Sequence, residues 1–581
     1  MPNLTFGAPE NMYARTFNRK VLVLLSDKRL IFKAGGEAQF DTFFNSLSVG
    51  VWKKHCNLQD LHLVIQGSGR FLLRCGLNRI GIPPRWVYDQ IIDLQEDKDT
   101  IVGLNCWQQL VDGMLFFNLV ALGDGVVTGG YYATTTPPVN PIKLGIVITH
   151  FNRKQYVLPA ITRVREQLLD DPRYQDNIGL TVIDNSQNIS RDEAQGITLI
   201  PNNNLGGSGG FTRGLLHLKD EGSFTHCLFM DDDASCEVES IRRCYHLLQF
   251  AVTERFAVSG VLMRELEPYR LHEKGGAFAK GGRPLKEGLD LQLVDHLLYA
   301  EVEDIKTDYG AWWFFAFNIN EVQNLAFPFF VRGDDIQFSM QNDFSICTLN
   351  GVGCWGDDFW YKESPLTRYL STRSNLLLML VFGKVERPAL LKAICKVFFD
   401  SLYSYNYASA KAARLALQHF CLGPQFWLDN MDMGLIRTEI AGFAGPEKLE
   451  QINKAGLNIK HPKNPHKKEK KLHKFLRNIT LNGILLPSFM LKNKIMLQPK
   501  HYKASFKDIF LYKKVLYEYE PTGQGYFAVQ DKKQFFAEYF AFIQQLFLFA
   551  KRYDAIQQEY QKAMQEMTSE AFWRDIYRDK K

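Results

Sequence analysis

Leu228-Phe229-Met230-Asp231-Asp232-Asp233 is the stretch from which the fold is read: three apolar residues run directly into three carboxylates. An apolar run that ends in acids is what a buried strand looks like where it surfaces at a sheet edge. Packing gives no reason for three adjacent like charges there. Mutual repulsion raises the cost of ionising all three, and a divalent cation removes that cost by taking carboxylate oxygens as ligands. At strand spacing Asp231 and Asp233 point to one side, with Asp232 between them, and can share one ion with a substrate diphosphate. The competing reading makes Asp233 the N-cap of a following helix with solvated neighbours.

Around this stretch, from residue 143 onward, strands alternate with helices. Continuous apolar strands are expected at 144–149, 180–184, 197–200 and 227–230, and helical spacing at 156–169 and 210–218. Strands apolar on both sides and separated by helices argue for a parallel sheet covered on both faces, which binds ligands at its C-terminal strand ends. Polar clusters fall at those ends: Thr149-His150-Phe151-Asn152-Arg153, Asp184-Asn185, Asn202-Asn203-Asn204 and the acid triplet. Leu205-Gly206-Gly207-Ser208-Gly209-Gly210 is neither a Walker A loop nor a dinucleotide fingerprint. Its glycines nonetheless permit close backbone approach and lead into a helix N-terminus suited to phosphate, a plain turn being the alternative.

At 581 residues the chain exceeds what one core sustains, so two to four domains are expected. Residues 1–140 read as short strands, at 20–25, 29–32, 61–66, 70–75, 101–104 and 114–121, forming a small β-sandwich that ends in a Thr- and Pro-rich linker. Residues 141–375 form the α/β domain, and 376–581 read as mostly helical, with helical spacing at 376–382, 389–407, 409–420 and 532–565. Inside that last region Lys463, Lys467, Lys468, Lys470, Lys471, Lys474 and Arg477 precede an apolar segment at 484–491, followed by Lys492, Lys494, Lys500 and Lys503. A basic block beside an apolar segment suits an anionic membrane surface; a solvated loop is the alternative.

Composition narrows the classes. Hydrophobic residues at 46% and charged residues at 23% describe a folded chain, and a net charge of +6 over this length gives no footprint for nucleic acid. The ten cysteines show neither CxxC pairs nor zinc spacing, which fits reduced thiols in a cytosolic protein. Met1-Pro2-Asn3-Leu4 lacks the charged head and apolar core of a signal peptide, and the apolar runs are too short to cross a bilayer. Any membrane contact is therefore expected to be peripheral.

The order Thr-x-Phe-Asn-Arg, Asp-Asn, Asn-x-Asn-x-Gly-Gly-x-Gly-Gly and Asp-Asp-Asp after a hydrophobic strand resembles the inverting GT-A glycosyltransferases of family 2. Within that family it looks most like the bacterial polymerising galactofuranosyltransferases. Ala311-Trp312-Trp313-Phe314-Phe315, the stretch Phe330-Val331-Arg332-Gly333-Asp334-Asp335-Ile336-Gln337-Phe338, and Phe43-Phe44-Asn45 with Val51-Trp52-Lys53-Lys54 support the closer match. The resemblance covers most of residues 1–375. It implies a Rossmann-like GT-A domain, a Mn2+ or Mg2+ ion on Asp231, Asp233 and Asp232, and Asp335 as the base with Asp334 assisting.

The same resemblance places the nucleotide sugar against Phe151, Asn152, Arg153, Asp184, Asn185, Asn204, Gly206 and Gly207. The acceptor would lie against Trp312, Trp313, Gly209 and Gly210. From the residues alone, Asp334-Asp335 could equally start a helix, and Trp312-Trp313 could be aromatic core. His272-Glu273 is read as an acceptor contact or a plain loop pair. The histidine that the family uses as a further metal ligand is missing; the matching neighbourhood is Cys354-Trp355-Gly356-Asp357-Asp358, where Asp357 or Asp358 could stand in. The implied reaction is transfer of galactofuranose from a UDP-sugar donor to a glycan or glycolipid acceptor at the inner face of the cell membrane, with a homo-oligomer left open. The rival is a glycan-binding protein whose acid clusters hold calcium.

Overall fold

The computed structural model describes residues 8–24, 28–383, 385–462, 469–500 and 505–578. Lys463, Lys467, Lys468 and Lys503 of the basic run lie outside them.

The α/β domain is built on a seven-stranded sheet in the order Thr198–Pro201, Ile178–Asp184, Leu144–His150, His226–Asp231, Phe315–Asn318, Phe256–Ser259, Ser345–Cys347. The first four strands are parallel, and Phe315–Asn318 runs antiparallel to both its neighbours. Leu144–His150 is buried at all but one position, as a strand covered on both faces must be. Register aligns the strand ends: His150 pairs with Asp184, Asp184 with Pro201, and Thr149 with Asp231. All the polar clusters therefore surface along one edge.

Two expected boundaries differ. The helix foreseen from residue 210 begins earlier and spans Gly206–Glu221, so the glycines lie inside it. Glycine weakens a helix interior, but here the helix lies so close to the sheet that a Cβ on Gly210 would come 2.2 Å from Thr149, and one on Gly214 2.3 Å from Val147. The helix after the acid triplet begins only at Val238, beyond a short strand at Ser235–Cys236, so Asp233 is not its N-cap.

The N-terminal region is antiparallel. Segments expected as two strands, 61–66 and 70–75, are one 18-residue strand, His62–Arg79. It pairs with Gly125–Ala133 and Thr100–Gly103 along its first half, and with Met114–Ala121 and Ile82–Leu94 along its second. Gly67 and Gly69, at φ +151° and +112°, bend the strand between these partners rather than ending it. Asn140 fastens the linker to the α/β domain, its amide donating to the carbonyls of Leu248 and Ala251.

In the C-terminal region the helices Pro365–Val381, Arg387–Tyr403, Tyr407–Phe420 and the 36-residue Lys532–Met567 share one core. The first of these runs through residue 375, where the catalytic region was expected to end. The expectation of a mostly helical region missed a five-stranded mixed sheet between residues 450 and 529, centred on Lys492–Pro499 and Tyr512–Tyr519. Lysines alternating with apolar residues masked that sheet as a basic loop. The last helix, Glu570–Tyr577, returns to the α/β domain: Trp573 Nε1 donates to Ala326 O at 2.7 Å, and Arg574 pairs with Asp220. No helix among the described residues is long and apolar enough to cross a membrane.

Candidate active site

Two carboxylate clusters meet at the C-terminal edge of the sheet. The first is the acid triplet. Asp232 turns inward, its carboxylate accepting from His150 Nδ1, from the Phe151 amide (3.2 Å each) and from Arg153 (3.4 Å). Asp233 turns the other way, paired with Arg153 and, at 2.8 Å, with Lys362 Nζ. Burial works against ionising Asp233, but Lys362 and Arg153 outweigh it and hold the carboxyl below its ordinary range. Asp231 lies between these partners, and burial, with repulsion from Asp233 and Asp232, pushes it up.

Asp357 extends this cluster, 3.6 Å from Lys362 Nζ. Glu265 stands beside it, raised by burial and then by the neighbouring Asp357. Asp358 is committed elsewhere: it caps the short helix Phe359–Lys362 through the Trp360 amide and accepts from Tyr519 Oη at 3.2 Å. Among the described residues no group of three or more His, Cys, Asp or Glu side chains closes into a metal cluster. The side chains of Asp231, Asp233 and Asp357 offer only carboxylate oxygen, the ligand type that suits a hard cation such as Mg2+ or Mn2+.

The second cluster begins the helix Asp334–Asn342, so both acids also sit favourably in its first turn. Its entry is a strained turn, with Phe330, Arg332 and Gly333 at φ +75°, +73° and +98°. The glycine loop locks against that turn. Ser208 N donates to Phe330 O at 3.1 Å, Ser208 Oγ donates to Asp334 Oδ2 at 2.9 Å, and any Cβ on Gly206 would strike Phe330 O. Burial raises both acids, Asp334 with added repulsion from Asp335, while Arg332 draws Asp335 back. Glu273, buried behind them within 3.5 Å of Tyr309 Oη, is pushed up to about 8 by burial and then by Asp335.

Phe359 joins the two clusters. Its ring stacks on His272 at 4.9 Å, meets Trp313 edge-on at 5.9 Å, and carries the Arg332 guanidinium 4.7 Å from its centre. The segment 357–362 thus lies between acids that hold cations and acids that hold protons.

The expected donor residues divide. Phe151, Asn152 and Arg153 are exposed or half-exposed at the strand mouth, Asn152 at φ +53°. Asp184 is spent on its own loop: its carboxylate accepts from the amides of Ser186, Asn188 and Ile189. Asn185 links Asn202 to Gly206 O, and Asn204 Oδ1 accepts from the Gly206 amide. Gly207 faces Asp334, and a Cβ there would lie in van der Waals contact with Asp334 Oδ2, at 3.5 Å.

The acceptor set needs correction. Trp312 lies in an aromatic core with Phe211, Phe229 and Phe338, so it offers no open face. Gly210 is the contact surface for Thr149, and Gly209 is buried with its carbonyl taken by Tyr577 Oη at 2.5 Å. Trp313 is buried as well, packed in the main core with its ring edge-on to Phe359 and its Nε1 donating to Gly260 O. Lys362, Glu265, Arg332 and Tyr309 were not foreseen. A lone Lys or Tyr far along the chain carries no local signal.

Residues 145–272 match the family model described as Glycosyl transferase family 2. The chain is 23% identical over 444 residues to galactofuranosyltransferase GlfT2 of Mycobacterium tuberculosis (strain ATCC 25618 / H37Rv), covering 69% of this chain and 68% of that one. GlfT2 of Mycolicibacterium smegmatis (strain ATCC 700084 / mc(2)155) is 22% identical, covering 67% and 64%. The match thus spans about two thirds of the length of these relatives. The mannosyltransferase PcManGT from Pyrobaculum calidifontis, solved with GDP-Man and Mn2+, covers 52% of this chain and 81% of that one at 14% identity and a TM-score of 0.29, too slight a likeness to bear on function.

Proposed function

Starting from a glycosyltransferase whose family 2 domain lies at residues 145–272, we propose a metal-dependent, inverting enzyme that transfers galactofuranose from UDP-galactofuranose to a growing, lipid-linked surface glycan at the cytoplasmic face of the membrane. The observation that carries the reading is the meeting of two unlike carboxylate clusters across Phe359. One is matched by cations; the other is buried and proton-holding. The printed names of the relatives support the sugar.

Asp335 takes the proton from the acceptor hydroxyl. Its carboxyl is raised to about 6 by burial, close to the range where a general base works best at neutral pH. The acceptor oxygen then bonds to the anomeric carbon while the bond to the diphosphate breaks on the opposite face. Asp334, tied to Ser208, and Glu273, behind the pair, keep Asp335 in a low-dielectric setting. Arg153 and Lys362 balance the charge that appears on the leaving diphosphate. Bound by Asp231 and Asp233, with Asp357 in place of the family's histidine, Mn2+ or Mg2+ would supply a Lewis acid at that same diphosphate.

The test is turnover of a panel of UDP-sugars, with furanose and pyranose forms of galactose, in manganese, magnesium and chelator. Metal-dependent turnover of the furanose donor is expected. Turnover of a different donor alone would overturn the sugar assignment, and undiminished turnover in chelator would overturn the metal.

A further inference from the structure

The helix Lys471–Ile479 leaves its apolar face uncovered. It is anchored from the opposite side, where Arg477 is buried and donates to the Glu469 carboxylate at 2.9 and 3.1 Å, and where the half-exposed His473 side chain places Nδ1 3.0 Å from the same carboxylate with its ring edge-on to Phe510. Its apolar side points out. Leu472, Phe475, Leu476 and Ile479, spaced to share one face, are all exposed, Leu472 at 69%. A helix packed for stability alone would bury that stripe.

The following turn continues the surface, with Leu485 and Met490 exposed and Phe489 88% exposed. The turn is not loose: the Asn482 amide donates to the carbonyls of Tyr403 and Phe506, and Lys532 Nζ donates to Leu486 O at 2.6 Å. That last bond places the turn beside the start of the Lys532–Met567 helix, which shows Phe540, Ile543 and Phe547 to solvent. Exposed lysines rim the apolar surface at positions 470, 471, 474, 492 and 494, and Glu469, the acid within it, is already paired inward.

We propose that this surface docks on an anionic lipid membrane, the apolar side chains entering the headgroup boundary and the lysines meeting lipid phosphates. The rim decides against a second copy of the chain, because self-association would bring the lysines together. The proposal deepens the membrane part of the function reading and rests on it only for its purpose, since lipid binding is measured without turnover.

The test is sedimentation of the full-length protein with phosphatidylcholine vesicles, with and without phosphatidylglycerol, at low and high salt. Binding to the anionic vesicles alone is expected. A Lys471→Gln, Lys474→Gln variant should lose about fivefold in affinity per lysine, and high salt should weaken the wild type likewise. A Leu472→Ser, Phe475→Ser, Phe489→Ser variant should lose about a hundredfold or more. Because every altered side chain is solvent-exposed, its fold and its turnover of donor with a soluble acceptor should be unchanged. Undiminished vesicle binding by the Ser variant, equal binding to neutral vesicles, or a wild-type dimer that the Ser variant dissolves would each overturn the proposal.

Discussion

The acid triplet and the Asp334-Asp335 pair lie at the same edge of one sheet, yet they handle charge in opposite ways. Asp233 is held ionised by Lys362 and Arg153 against the cost of burial. Asp334, Asp335 and Glu273 have no comparable share of cations, and burial favours their protonated forms. A cluster matched by cations is suited to exchanging them for a metal ion and a diphosphate. A cluster that holds protons near neutral pH is suited to moving one. The difference lies in the neighbours, not in the residue type.

Removing the proton-handling group should have the largest effect. Asp335→Asn is expected to lower kcat by about a thousandfold or more with the thermal melt unchanged; near-normal turnover would erase the distinction between the clusters. Next, Lys362→Met leaves Asp233 with one cation fewer and should raise the KM for the donor by about tenfold while changing kcat less. A pure kcat loss would move Lys362 from charge balance to the chemical step.

The pH dependences should run in opposite directions for activity and stability. Asp335 in its proposed role as base works ionised, so kcat/KM should fall as pH drops through about 6. Stability behaves otherwise. A carboxyl whose folded pKa is raised binds its proton more tightly when folded, so its contribution is complete below the unfolded value and is lost as pH rises through the folded one. In chelator, the melting temperature should therefore decline as pH rises towards about 8, the position of Glu273, and a Glu273→Gln variant should show less of that decline. The smallest effect expected is on the activity profile of Glu273→Gln: Glu273 is already protonated and uncharged where Asp335 titrates, so the acid limb should stay in place. A shift of the limb by about one pH unit or more would contradict a Glu273 that holds its proton in that range.

How much of this was legible follows from the range of each interaction. The strands were readable because burial on both faces makes continuous apolar runs, and the polar clusters at their ends mark the edge that binds ligands. The glycine loop was visible, but its reasons were not. Gly210 answers to Thr149 and Gly206 to Phe330 O, contacts that exist only once the chain has folded. Trp312 and Trp313 look alike in sequence and the fold buries both, in different cores: the first among Phe211, Phe229 and Phe338, the second against Phe359. Lys362 reaches Asp233 across 129 residues, and Tyr577 reaches Gly209 across 368, so neither pairing leaves a local pattern. The C-terminal sheet was hidden by lysines on its strands, and the outward apolar face of Lys471–Ile479 depends on which side of an amphipathic helix the protein covers.

The most direct test of divided roles is calorimetric titration of UDP with Mn2+ into Asp335→Asn and Asp233→Asn. Asp335→Asn should bind UDP as the wild type does, with the same dependence on metal, and fail to transfer sugar. Asp233→Asn should lose the metal-dependent part of the binding. If Asp335→Asn lost that binding, or Asp233→Asn kept it, the two clusters would not be divided between proton and diphosphate.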